Sequence, residues 1–253
     1  MSQFNILLNA IEEEIQKDIS QKDTLQELEH KYELKLIPLK LYINTLSACN
    51  PGDLASKHHA ADYSPFEHIG DILSNYTTML SFQSCKQGQQ ERLVTKLSED
   101  CFFLTLGVRY FNVIEKCFKR NGGDVIKVQM VGKDQLEGVI MTPKEIGSVL
   151  GLKKVDYQVY LLALLKLVDV IVDYTSSTVI RLSIGSTSPR DYTIATINSE
   201  IVSNLQKGFQ LLDLKNDILR KKFDGLKYNS QRLNKIVYDL SLRSLITVKG
   251  EVL

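Results

Sequence analysis

Apolar residues recur at helical spacing through most of this chain, so the pattern predicts a succession of helices. Leu7, Leu8, Ile11, Ile15 and Ile19 step by three and four residues, with Glu12, Glu13 and Glu14 mostly facing away. Leu25, Leu28, Tyr32 and Leu36 continue that stripe to Pro38, where the pattern predicts a kink or an end, because an interior proline costs about 3 kcal/mol. The polar, small-residue stretch from Asn50 to Pro65 reads as a long loop. A helix from near Phe66 to Leu80 follows, then a polar break from Gln83 to Gln90. Leu93, Leu97, Cys101, Leu104, Val108 and Phe111 predict a central helix reaching about Cys117.

Between 119 and 141 the pattern changes. Asn121-Gly122-Gly123 signals a turn, and alternation from Ile126 to Val131 predicts a short β-hairpin insertion over about 124–141. Helix signals then resume: Thr142 as N-cap, Pro143 at N1, Glu145 closing a capping box and Gly151 as the C-terminal cap. The stretch from Val155 to Val179 is the most apolar, interrupted by Lys166, Asp169 and Asp173. Phe209, Leu212, Leu219, Phe223 and Leu226 fall on one predicted helical face, and Asn229-Ser230 offers the N-cap of a further helix. The whole reads as one domain of 253 residues, a multi-helix bundle with an insertion at 119–141.

Composition adds little beyond a soluble globular class. Net charge is +1 and 43% of residues are hydrophobic, so any nucleic-acid site must rest on a local or assembled basic patch. No apolar run nears the roughly 20 residues of a membrane span. The opening MSQFNILLNAIEEE lacks the basic-then-apolar order of a secretory signal and reads as intracellular. Cys49, Cys85, Cys101 and Cys117 are too scattered for a metal site and read as reduced thiols. His58, His59 and His68 read as solvated loop histidines.

Chemistry-bearing residues form three groups. Lys86, Arg92 and Lys96 are one set of candidate phosphate-binding cations; Arg220, Lys221, Lys222 and Lys227 are another. For each, an ordinary solvated helix face with partners such as Asp217 and Asp224 is the competing reading. Glu99, Asp100, Asp169 and Asp173 are the candidate carboxylates should the chain hold Mg²⁺ and cleave RNA; no other cofactor is implied. Asp169 and Asp173 stand out because an unpaired buried carboxylate is costly, and pairing with Lys166 or a neighbouring subunit is the alternative. Tryptophan is absent and the tyrosines fall on apolar stripes, the pair in the C-terminal segment reading as buried, so no base-stacking platform is expected. Leu205, Leu212, Leu219 and Leu226 lie every seven residues, but Gly208 and Gly225 interrupt a coiled coil.

The segment Gly208–Ser244, with LKND, LRK, DGLKY and VYDLS in order, resembles the C-terminal helices of the translin family. MTPKEIGSVLGL, Val155-Asp156-Tyr157 and Arg190-Asp191-Tyr192 resemble that family more weakly. The resemblance implies an all-α fold of about seven helices and a hollow octamer binding single-stranded RNA and DNA, sequence-specific DNA included, on interior basic residues. It further implies a cytoplasmic and nuclear location. It implies pairing with a paralogue, translin-associated factor X, in an endoribonuclease whose catalytic carboxylates come from the paralogue. Catalysis by this chain alone is then not expected. Two alternatives remain: an Mg²⁺-dependent endoribonuclease in its own right, and a helical scaffold without nucleic-acid binding. The central helix departs from the family's histidine- and arginine-rich pattern, keeping Arg92 and Lys96 but placing Glu99 and Asp100 beside them.

Overall fold

A computed structural model describes residues 2–60, 64–83, 87–118, 138–184, 190–214 and 217–246. The described residues form helices α1 (Ser2–Ser47), α2 (Leu54–Ala60), α3 (Ser64–Glu67), α4 (Ile69–Ser81), α5 (Gln87–Cys117), α6 (Pro143–Val149), α7 (Tyr157–Ile184), α8 (Thr193–Gln210) and α9 (Asp217–Leu242). No strand occurs among them. The fold is an all-α bundle. The proposed hairpin lies mostly outside the described residues.

The central helix is where the pattern placed it. α5 buries Leu97, Cys101, Leu104, Val108 and Phe111 as one stripe. Its side-chain contacts set the directions of its neighbours. Lys96 reaches Glu29 and Glu33, and Lys40 reaches Asp100, so α1 runs parallel to α5. Tyr110 and Phe111 pack edge-on against Tyr174 while Asp100 meets Lys166, so α7 also runs parallel to α5. α8 runs antiparallel to α9, since Ser199 bonds Asn234 and Phe209 stacks on Phe223 at 6.0 Å. Gly107 allows α1 close to α5: a Cβ there would meet Ile43 Cδ1 at 3.1 Å.

Capping chemistry fixes α6 locally. Thr142 accepts from the Glu145 backbone N–H, and Glu145 reaches back to the Thr142 N–H. At the other end Gly151 adopts φ +66, and Leu152 N–H donates to the Gly147 carbonyl at 2.8 Å, the Schellman pattern. At the core, Tyr110 donates to Asn198, whose amide donates to Thr175, and all three are buried. Cys101 is buried, and Cys49 and Cys117 are half-buried free thiols. Cys85 lies outside the described residues, as do the side chains of His58 and His59.

Several local expectations are corrected. Pro38 does not end α1, which continues to Ser47. Leu36, Leu39, Tyr42, Ile43 and Leu46 are buried on both sides of it, and packing of that size outweighs one lost backbone bond. The loop expected from Asn50 instead holds a 3₁₀ turn at Pro51–Asp53 and then α2, anchored by the buried Leu54. The stripe from Phe209 to Leu226 does not share one helix, because α8 ends at Gln210 and α9 starts at Asp217. Asn229 and Ser230 lie inside α9 rather than starting a helix: Ser230 is buried and Asn229 is tied to Asp169, so tertiary contacts override their capping preference. On α1, Leu8, Ile11, Ile15 and Ile19 stay exposed.

Candidate nucleic-acid interface

The candidate cations divide by what they already touch. Lys86 lies outside the described residues. Arg92, one turn before Lys96 on α5, is exposed and has no ion pair among the described residues. Lys96 is held by Glu29 at 2.6 Å and Glu33 at 2.7 Å. Hydrogen bonds from its ammonium to those two carboxylates raise its pKa further above the ordinary lysine value. The three side chains together carry one net negative charge, so Lys96 contributes little free positive field.

Four helices meet at a second charged cluster. Lys166 Nζ from α7 donates to Glu99 Oε1 at 2.9 Å and Asp100 Oδ1 at 2.8 Å. Lys40 from α1 reaches the other Asp100 oxygen at 2.8 Å, and Lys222 from α9 stands 3.6 Å from Glu99. Both carboxylate side chains retain 16% exposure, while the lysines around them stay 37–42% exposed. Burial alone would push the Asp100 carboxyl up, but hydrogen bonds from Lys166 and Lys40 outweigh it and hold it below its usual range. Burial would likewise depress Lys166, and its bonds to Asp100 and Glu99 more than offset that. Glu99 and Asp100 are therefore lysine counter-ions.

Asp169 and Asp173 are not buried. They sit on the exposed seam of α7 toward α9, where Asp169 accepts from Asn229 at 2.7 Å and Asp173 from Arg232 at 3.2 Å. Among the described residues no group of three or more His, Cys, Asp or Glu could hold a metal ion. His68 is exposed at the start of α4, 3.3 Å from Asp71. No helix is long and apolar enough to cross a membrane among the described residues. An apolar cavity of about 420 Å³ between α7 and α8 is lined by Leu161, Leu164, Ile201, Leu205 and Phe209 and by none of these charged residues.

α9 carries the remaining cations. Arg220 and Lys221 are exposed without an ion pair among the described residues, and Lys227 is shared between Asp224 at 3.0 Å and the Phe223 ring at 4.8 Å. Leu219, Leu226, Leu233 and Leu240 are buried at seven-residue steps, fixing which side of α9 faces the core. Leu205 is half-buried and Leu212 exposed, so the leucine periodicity serves intramolecular packing of α9 and no zipper. The tyrosine reading is corrected too: Tyr228 is 73% exposed and Tyr238 62%.

This cation-bearing segment also falls within a match to a known family. Residues 135–244 match the family model described as Translin family. Over these residues the chain is similar to the translin family. Translin from Gallus gallus is 34% identical over 113 residues, 42% of this chain and 46% of that protein. The translins of Homo sapiens and Mus musculus are each 44% identical over 77 residues, 28% of this chain and 34% of each relative. The matched part thus spans less than half the length of these translins. Within the translin-family region fall α6 to α9 with Lys166, Arg220, Lys221, Lys222 and Lys227, whereas Arg92 and Lys96 on α5 lie outside it.

Proposed function

We propose that this chain is a translin-type binder of single-stranded RNA and DNA, working as an octamer. In a hetero-complex with translin-associated factor X it serves as the RNA-binding scaffold of an endoribonuclease, in cytoplasm and nucleus. The observation that carries this reading is the match over residues 135–244, which spans α9 with its unpaired Arg220 and Lys221. Two cations per subunit are a weak patch, and copies of the patch brought together in an assembly multiply it. The subunit itself is non-catalytic in this reading. Glu99 and Asp100 are already neutralised by Lys40 and Lys166, which favours a structural role for them over Mg²⁺ chemistry.

The test pairs solution mass with affinity for a short single-stranded oligonucleotide across a salt series. An octamer-sized particle whose affinity falls linearly on logarithmic axes supports the reading. A chain that stays monomeric and binds nothing at low salt overturns it. Mg²⁺-dependent cleavage by the purified chain, lost on Asp169→Asn, would replace it with the nuclease alternative.

A further inference from the structure

Residues two positions after the buried leucines of α9 lie about 200° further round the helix, on the face turned away from the core. Those residues are Lys221, Tyr228, Lys235 and Leu242. Seven residues make nearly two turns, so Lys221, Tyr228 and Lys235 form a nearly straight line, cation, ring, cation, about 21 Å long at 1.5 Å rise per residue. None of the three has a hydrogen-bond or ion-pair partner among the described residues. Tyr228 is 73% exposed, and nothing in the subunit's own packing accounts for an aromatic ring there. Tyr238 differs. It stands about 80° off that line and is followed at once by the exposed Asp239.

Resting on the nucleic-acid reading above, we propose that Tyr228 is a base-stacking platform for single-stranded nucleic acid, with Lys221 and Lys235 holding phosphates on either side. A flat π-face accepts any base, and flanking ammonium groups track a backbone without reading sequence. Charge complementarity selects this occupant: the line carries two cations without an ion pair among the described residues, and Asp224, three residues after Lys221, is engaged by Lys227. Arg220 lies on the adjacent face and extends the positive field around the ring.

The experiment measures binding of a short single-stranded oligonucleotide carrying 2-aminopurine, by affinity and by fluorescence quenching on stacking. Tyr228→Ala is expected to weaken binding by about five- to a hundredfold and to relieve the quenching, the worth of one stacked base. Tyr228→Phe keeps both, because the ring and not the hydroxyl does the stacking. Tyr238→Ala stays within about twofold of the parent, on the scale of a surface substitution. Parent-like binding by Tyr228→Ala, or equal loss in Tyr228→Phe, overturns the proposal. So does a change in solution mass of Tyr228→Ala without nucleic acid, which would make this face a contact between copies. A parent chain that binds no oligonucleotide at all defeats the underlying reading instead, and the two failures are distinct.

Discussion

Replacing Lys166 by Met tests whether the charges of the central helix are structural. Methionine keeps the apolar stem and removes only the ammonium. Glu99 then loses its 2.9 Å partner and keeps Lys222 at 3.6 Å, while Asp100 loses one of two ammonium bonds at 2.8 Å. Breaking a fully buried ion pair costs about 3–5 kcal/mol, and an exposed one about 0–1 kcal/mol. With the Lys166 side chain 37% exposed and the carboxylates 16%, screening discounts the loss to about 2 kcal/mol. For a chain of this size that lowers the melting temperature by about 4–8 °C. The acid dependence has a definite sign. Asp100 is held below its usual pKa in the folded state, so its contribution is present above about pH 3.9 and fades as pH falls through the folded value. The stability gap between Lys166→Met and the parent should therefore narrow below about pH 3.9 in urea titrations. A gap under about 0.5 kcal/mol at pH 7, the size of an ordinary surface substitution, refutes the reasoning. An unchanged gap at pH 3 refutes it equally.

Three further outcomes follow from other contacts. Asn198→Leu strands the buried Tyr110 hydroxyl and removes the amide donor to Thr175, which keeps its bond to the Ile171 carbonyl, and should cost about 2–4 kcal/mol by thermal or urea unfolding. Thr142→Ala breaks the capping box and should cost about 1 kcal/mol, measurable as a small shift of the urea midpoint. Glu29→Gln with Glu33→Gln frees Lys96, so affinity for single-stranded oligonucleotides should rise and the salt slope should steepen by about 0.7. Because the pairs are partly exposed, stability should change by no more than about 1 kcal/mol. No change in slope would mean that α5 lies off the nucleic-acid path.

Helix periods were legible because long apolar stripes leave few alternatives. α5 emerged from the spacing of Leu97, Cys101, Leu104 and Val108, and α6 from the capping chemistry of Thr142 and Glu145. What failed were breaks and starts argued from single residues. Pro38, Asn229 and Ser230 each carry a local preference against a helix interior worth at most a few kcal/mol, and each is held there by tertiary packing that no window of sequence contains. The end of α8 at Gln210 was illegible for the converse reason. Phe209 and Phe223 keep helical spacing across it, yet they meet as a stacked pair between antiparallel helices. Similarly, the exposure of Asp169, Asp173 and Tyr228 depends on which side of α7 or α9 meets a neighbour, and that is a property of the assembled bundle.

Charged residues read one at a time gave two rival chemistries, phosphate binding by lysines and metal binding by carboxylates. In the folded chain many of them neutralise one another across helices. Lys96 faces Glu29 and Glu33; Lys40, Lys166 and Lys222 gather around Glu99 and Asp100; Arg232 faces Asp173. Pairs that satisfy one another in low dielectric are poor ligands, since releasing either partner leaves a desolvated charge behind. The field available to a polyanion is what remains after those pairs are removed. On α9 that remainder is Arg220, Lys221 and Lys235 around the exposed Tyr228 ring, inside the translin-family match. A near-neutral chain can therefore present a positive, aromatic strip without any basic signature in its overall composition, because many of its acids are paired with lysines and arginines elsewhere in the bundle.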